Sequence, residues 1–331
     1  MSLFRNLLPV LALLAGCVTG EPSSTTPSAS PGAMPAVSSA EASSGTAVPK
    51  AELGQHTVKV DGHPINVWSK LAPEPWGAIV LLHGRTWSAR PDFDLQVPGE
   101  SRSTMDALVA EGMAVYAMDM RGYGATPRDD TQWLTPDRAE KDLAAVLTWV
   151  AQQHPDLPAP TMLGWSLGSL VSQLTAQRHP QLMSSLVLFG YPRRPGAIYD
   201  PDPVPLPEPE RRTTTAEAAA EDFIVPGSIS QAGIDAFVKA ALAADPVRMD
   251  WRANDQWNAL DPAAVKTPTL LIHGEKDPYA PMENQTLLFE ALGHPDRAWV
   301  IVAGSDHVAH MEANGRRFVH AVVEFIRRPT P

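Results

Sequence analysis

Residues 161–177 read TMLGWSLGSLVSQLTAQ, and this stretch decides the architecture. Thr161 to Trp165 is a short apolar run without polar alternation, which suits a strand covered on both faces. An apolar helix is predicted to begin immediately afterwards and to run through about Gln177. Between them stands Gly164-Trp165-Ser166-Leu167-Gly168, a Gly-X-Ser-X-Gly string in the setting that gives it physical meaning. A strand that turns sharply into a helix pushes the central serine above the carboxyl end of the sheet. Gly164 and Gly168 relieve crowding where the backbone reverses. A serine hydroxyl is a weak nucleophile until a base accepts its proton, so Ser166 requires partners from elsewhere in the chain. The Leu167 amide, at the start of the helix, is placed to form one arm of an oxyanion hole.

The pattern on either side is similar. Gln55 to Val60 and Ile65 to Lys70 read as an opening hairpin around Asp61-Gly62, a favourable turn pair. Ala78 to Leu82 and Met113 to Met118 are further buried-strand runs, the first ending at His83-Gly84 and the second at Asp119-Met120-Arg121-Gly122-Tyr123-Gly124. Ser103 to Glu111 reads as a helix closed by Gly112. Pro136 to Val150 carries an apolar stripe of Ala139, Leu143, Val146, Leu147 and Val150, the spacing of a helix packed on a sheet. Ser185 to Phe189, Thr269 to Ile272 and Trp299 to Val302 complete the strands, with a helix expected after each of the last two, the final one from near Met311. Strands alternating with helices call for a predominantly parallel sheet with helices on both faces. The alternation pauses over residues 191–260, where Thr213 to Phe223 and Ile229 to Ala244 read as helices of a small inserted cap. The polar stretch from Trp87 to Arg102 is expected to form a rim or lid.

Taken together, these motifs resemble the α/β-hydrolase family over roughly residues 52–328. The resemblance implies the α/β-hydrolase fold and assigns further roles in the chain order Ser166, Asp277, His307. His83-Gly84-Arg85 matches the strand end that supplies the second oxyanion donor, the backbone amide of Arg85. His83 itself reads as structural. Within His273-Gly274-Glu275-Lys276-Asp277-Pro278 the position matching the family's acid is Asp277, with Glu275 as the competing carboxylate. Within Gly304-Ser305-Asp306-His307 the resemblance makes His307 the general base toward Ser166 and then the general acid toward the leaving group, with His310 as its local rival. The 119–124 loop also resembles a recurrent family loop; its glycines fit a tight turn after a strand, and Arg121 is expected to pair with nearby acids.

This chemistry implies a serine hydrolase that cleaves a carboxylic ester of a small acyl substrate through an acyl-enzyme, with no cofactor. A serine disfavours haloalkane dehalogenase or epoxide hydrolase activity, for which family members use aspartate at this position. Trp87, Trp165 and Tyr191 are candidate walls of an apolar substrate pocket; Trp251 and Trp257 either close the cap or pack in its core. Two alternatives remain open. One is a serine aminopeptidase or amidase, which a negatively charged cap group able to bind a substrate amine would mark. The other is an envelope binding lipoprotein that retains the fold without turnover.

The chain has 331 residues, 44% of them hydrophobic, enough for a substantial core. Its formal net charge of -11 argues against a broad nucleic-acid-binding face. The 10 histidines form no close zinc-binding cluster in sequence, and no dinucleotide fingerprint stands in the expected place. Cys17 is the one cysteine, so no intrachain disulfide is possible. Arg5 precedes an apolar run from Leu7 to Ala15, the length of a secretory signal rather than a membrane span. Leu14-Ala15-Gly16-Cys17 resembles a bacterial lipoprotein signal, which implies a signal peptide at 1–16, lipidation of Cys17 and attachment to the bacterial cell envelope. Val18 in place of Asp favours the outer membrane where the organism has one. Residues 17–50, rich in Ser, Thr, Pro, Ala and Gly after the cysteine, suit a flexible tether, followed by the hydrolase domain at 51–328.

Overall fold

The computed structural model describes residues 51–328. The expected signal peptide, Cys17 and the tether lie outside the described residues. The predicted opening hairpin forms as strands β1 (Gly54–Val60) and β2 (His63–Leu71), paired antiparallel across Asp61-Gly62. Asp61 and Gly62 both take positive φ, which the turn demands. The remaining strands are β3 (Gly77–Leu82), β4 (Met113–Met118), β5 (Trp133–Leu134), β6 (Thr161–Trp165), β7 (Ser185–Phe189), β8 (Asp250–Trp251), β9 (Thr269–Gly274) and β10 (Arg297–Val302). Eight of them make one sheet in the order β1-β2-β4-β3-β6-β7-β9-β10, while β5 and β8 pair separately. From β4 to β10 every pairing in the large sheet is parallel, so the carboxyl ends of these strands share one edge.

The helices are α1 (Ala89–Phe93), α2 (Thr104–Ala110), α3 (Pro136–Gln153), α4 (Leu167–Arg178), α5 (Ala216–Ala220), α6 (Gln231–Ala244), α7 (Met282–Ala291) and α8 (Gly315–Arg327). They cover the sheet on both faces, as the unalternating strands require. In β3, Ala78, Val80 and Leu82 pack with Leu143 and Val146 of α3 and Leu170 and Leu174 of α4. Ile79 and Leu81 face the other way, into a layer with Leu108 of α2 and Phe318 and Val322 of α8. The two-residue period of the strand thus feeds two apolar layers. The architecture is that of the α/β-hydrolase fold.

Three segments depart from expectation. The stretch from Trp87 to Leu95 folds inward, with Trp87, Ala89, Phe93 and Leu95 each almost without exposure, because its apolar residues complete a layer that also holds Phe237 and Ala241 of α6. In the insertion between β7 and β9, the predicted helix over Thr213 to Phe223 contracts to α5, with Thr215 as its side-chain N-cap. The last helix starts at Gly315 rather than near Met311, since residues 308–312 are buried in turns beneath the site. Among the described residues no helix is long and apolar enough to cross a membrane.

Candidate active site

Ser166 sits between the last residue of β6 and the first of α4, with φ 53° and ψ -122°. A non-glycine residue in this region carries strain of about 1–3 kcal/mol and is held there by its surroundings. Here the Ser166 amide donates to Phe189 O at 2.8 Å, while its carbonyl accepts from the Ser169 amide at 2.9 Å. Room for the turn comes from missing side chains. A Cβ at Gly164 would stand 2.2 Å from Ser172 Oγ, and one at Gly168 would stand 2.5 Å from the carbonyl oxygens of both Leu82 and His83. The elbow is therefore pressed directly against the end of β3.

That contact places the oxyanion candidates. Gly84 adjoins the serine so closely that a Cβ there would be 3.3 Å from Ser166 Cβ. The Leu167 N–H is the first of α4 and has no acceptor within the helix. The Gly84–Arg85 peptide is oriented by His83. Because the Met120 amide must donate, His83 Nε2 is its acceptor at 3.0 Å, which leaves the proton on Nδ1. Nδ1 then donates to Gly84 O at 2.8 Å. Complete burial depresses His83 to about 4, so it is neutral at ordinary pH. Its work is to fix the peptide whose N–H belongs to Arg85. The next carbonyl, Arg85 O, accepts from the Tyr123 hydroxyl, which in turn accepts from Trp251 Nε1 in the insertion at 2.9 Å. The Arg85 side chain is exposed.

The loops after β9 and β10 bring Asp277 and His307 together. Asp277 Oδ2 lies 2.8 Å from His307 Nδ1. Its other oxygen accepts from the amides of Tyr279 and Ala280 at 2.9 and 3.1 Å. A carboxylate filled in this way holds the imidazole in one orientation and leaves Nε2 for chemistry. The Trp165 ring, next to the serine, packs 5.2 Å from the His307 ring, and its Nε1 donates to His307 O at 2.9 Å.

The competing residues are occupied elsewhere. Glu275 is exposed, and its Oε2 accepts from the Gly304 amide at 2.8 Å. His310 is buried among Phe93, Trp165, Phe189 and Phe318, and its Nε2 donates to Asp92 O at 2.8 Å. Burial pushes it down to about 3, in the neutral form. Arg121 makes a bidentate pair with buried Asp142 at 2.6 and 2.8 Å, which anchors its loop.

Of the three candidate pocket aromatics, Trp165 packs with a tilted ring against His307. Tyr191 is fully buried and donates its hydroxyl to Gln173 at 2.6 Å, the setting of a packing residue rather than a pocket wall. Trp87 packs edge-on to Phe237 and donates from Nε1 to Asp222 Oδ2 at 2.8 Å.

Asp222, Asp306 and Asp245 are site-neighbouring residues that sequence reading did not single out. Asp306, beside the histidine, accepts from the amides of Ile224 and Val225 at 2.8 and 2.7 Å. Asp245 accepts from those of Ser88 and Gly124 at 2.8 Å each. Both carboxylates tie the insertion to the loops that carry the site. Their partners lie from 81 to 157 residues away in sequence, so no local pattern marks them.

The sequence profile described as the alpha/beta hydrolase family matches residues 79–321, and the chain belongs to that family. It is similar to a monoacylglycerol lipase of Mycolicibacterium smegmatis, 24% identical over 271 residues that cover 79% of this chain and 91% of the lipase. It is also similar to a 2-hydroxy-6-oxo-6-(2'-aminophenyl)hexa-2,4-dienoic acid hydrolase of Metapseudomonas resinovorans, 24% identical over 76% of this chain and 84% of that one. Among solved structures, a hydrolase from Pseudomonas aeruginosa superposes with a TM-score of 0.60 at 18% identity, covering 83% of this chain and 98% of its own. The chain is thus a hydrolase of the α/β-hydrolase superfamily.

Proposed function

We propose that this protein is a serine hydrolase that cleaves a carboxylic ester through an acyl-enzyme. Ser166 Oγ attacks the ester carbonyl carbon while His307 Nε2 takes the hydroxyl proton. The amides of Arg85 and Leu167 stabilise the oxyanion, an arrangement in which one donor alone is worth about 3–4 kcal/mol. Collapse breaks the bond to the leaving alkoxide, which receives the proton from His307. Water, deprotonated by the same histidine, then releases the acid and restores Ser166. Asp277 holds the imidazole in the tautomer that both steps need.

The observation that most supports this reading is a serine held at φ 53° at the same sheet edge as a buried, hydrogen-bonded His307–Asp277 pair. A lipase among the relatives, by its name an enzyme of ester bonds, favours ester cleavage. The experiment is stopped-flow hydrolysis of p-nitrophenyl acetate. An initial burst of p-nitrophenol approaching one per active enzyme, absent in Ser166→Ala, is expected. Turnover that survives in Ser166→Ala would rule out this assignment.

A further inference from the structure

Asp277-Pro278-Tyr279-Ala280-Pro281 leads from β9 toward α7 and carries an aromatic ring against the catalytic histidine. The Tyr279 and Ala280 amides both donate to Asp277 Oδ1, so the carboxylate that orients His307 also fixes this turn. Pro278 and Pro281 restrict the backbone on either side. The Tyr279 ring lies 4.9 Å from that of His307, inclined at 65°.

His307 is only 5% exposed, and the groups that enclose it differ in kind. Asp277 occupies Nδ1. Gly190, just beyond β7, is so near that a Cβ there would stand 3.0 Å from His307 Cε1. Trp165 packs on the ring at 5.2 Å and is itself buried. Tyr279 is different, being 51% exposed, and so forms the solvent side of the enclosure. Burial and the nearby carboxylates of Asp222, Glu221 and Asp277 raise its phenol above the usual tyrosine range. The side chain is therefore uncharged at ordinary pH. A large ring left half in water gains from an apolar ligand surface that covers it.

We propose that Tyr279 is a specificity-determining residue that receives the alcohol portion of the ester and selects for aromatic leaving groups. The proposal rests on the serine-hydrolase reading and narrows its substrate class on the leaving side, independently of the acyl group. The bond from the carbonyl carbon to the alcohol oxygen breaks, and that oxygen takes its proton from His307 Nε2. Its carbon skeleton departs past the solvent side of the histidine, where the open part of the Tyr279 ring lies. Ring-on-ring contact adds to the apolar area covered, and the surrounding carboxylates disfavour an anionic alcohol portion.

The test uses the full chain in a pH-stat at neutral pH with benzyl acetate and methyl acetate, which share an acyl group and whose alcohols are of similar acidity. The ratio of kcat/KM for benzyl over methyl ester is measured in wild type, Tyr279→Phe and Tyr279→Ala. A second ratio, methyl butyrate over methyl acetate, varies the acyl side alone. Wild type should prefer the benzyl ester. Tyr279→Ala should lower the first ratio about tenfold while the second holds, and Tyr279→Phe should keep both. An equal loss on both acetates would show that Tyr279 only supports His307 and would overturn the proposal. So would an unchanged first ratio, an equal fall in both ratios, or a wild type without benzyl preference while Ser166 still reacts with a fluorophosphonate. Absence of that reaction in folded protein would instead count against the serine-hydrolase reading itself.

Discussion

At the scale of single residues, the site is a set of atoms whose hydrogen-bond capacity is already spent on one arrangement. Asp277 illustrates this, with one oxygen closed by two amides and the other by His307. Replacing it with asparagine offers an amide donor to Nδ1 and selects the wrong tautomer. Asp277→Asn is therefore expected to lower kcat by about 10³–10⁴-fold with little change in fold. Glu275→Gln, which alters only an exposed turn contact to Gly304, should leave kcat within about threefold. Steady-state kinetics on one ester decides between them; a larger loss in Glu275→Gln would mean that the acid has been misassigned. The chain order Ser166, Asp277, His307 is what the family resemblance implies, and in the fold each of the three follows a strand ending at the same edge of the sheet. The resemblance preferred Asp277 over Glu275 and His307 over His310; the physical difference within each pair lies in the three-dimensional surroundings. His310 and His307 are three residues apart, yet one has its Nε2 bonded to Asp92 O within the aromatic layer and the other pairs with a carboxylate.

At the scale of elements, legibility followed how local the determining forces are. β6 and β7 match the predicted Thr161–Trp165 and Ser185–Phe189 at both ends. Continuous burial writes itself into composition, and a glycine or proline marks the limits. The helix over residues 104–110 was readable for the same reason, since Ser103 caps the Asp106 amide and Gly112 supplies the positive φ that ends the turn. Non-local contacts explain the failures. Residues 87–95 were expected at a polar rim but enter the core, because Trp87, Ala89, Phe93 and Leu95 complete the layer with Phe237 and Ala241 while Asp119 and Asp245 bind the amides of Ala89 and Ser88. β5 and β8 are two residues each and lie more than 100 positions apart in the chain; neither carries a pattern that could be recognised alone. The insertion is joined to the site through Trp251–Tyr123–Arg85, Asp222–Trp87 and Asp306 with the 224–225 amides. It is hydrogen-bonded to the loops that carry the candidate site.

For the molecule as a whole, burial of titratable groups should govern how stability depends on pH. His310 is fully buried and pushed from 6.5 to about 3, so between those values the unfolded chain binds a proton that the folded protein does not. Stability contributed by keeping it neutral is full above about 6.5 and is lost as pH falls, at about 1.4 kcal/mol per pH unit. Asp119 and Asp222 act in the opposite sense. Burial raises both to about 6, so each holds a proton in the folded state that the unfolded chain has released, and stability declines as pH rises from about 4 toward 6. The two effects partly cancel in the wild type, and a substitution separates them. His310→Gln keeps a donor for Asp92 O without the titration. Between pH 7 and pH 5 the wild type should lose about 2 kcal/mol more unfolding free energy than this variant in urea titrations. Equal losses would mean that His310 is not held neutral.

The central claim is that the fold activates Ser166, and it is tested most directly by reacting the purified protein with a fluorophosphonate and locating the adduct by peptide mass spectrometry. A single adduct on Ser166, lost in Ser166→Ala and strongly slowed in His307→Ala, is the predicted result. Folded protein that remains unlabelled at Ser166, or labels there equally fast without His307, would contradict it.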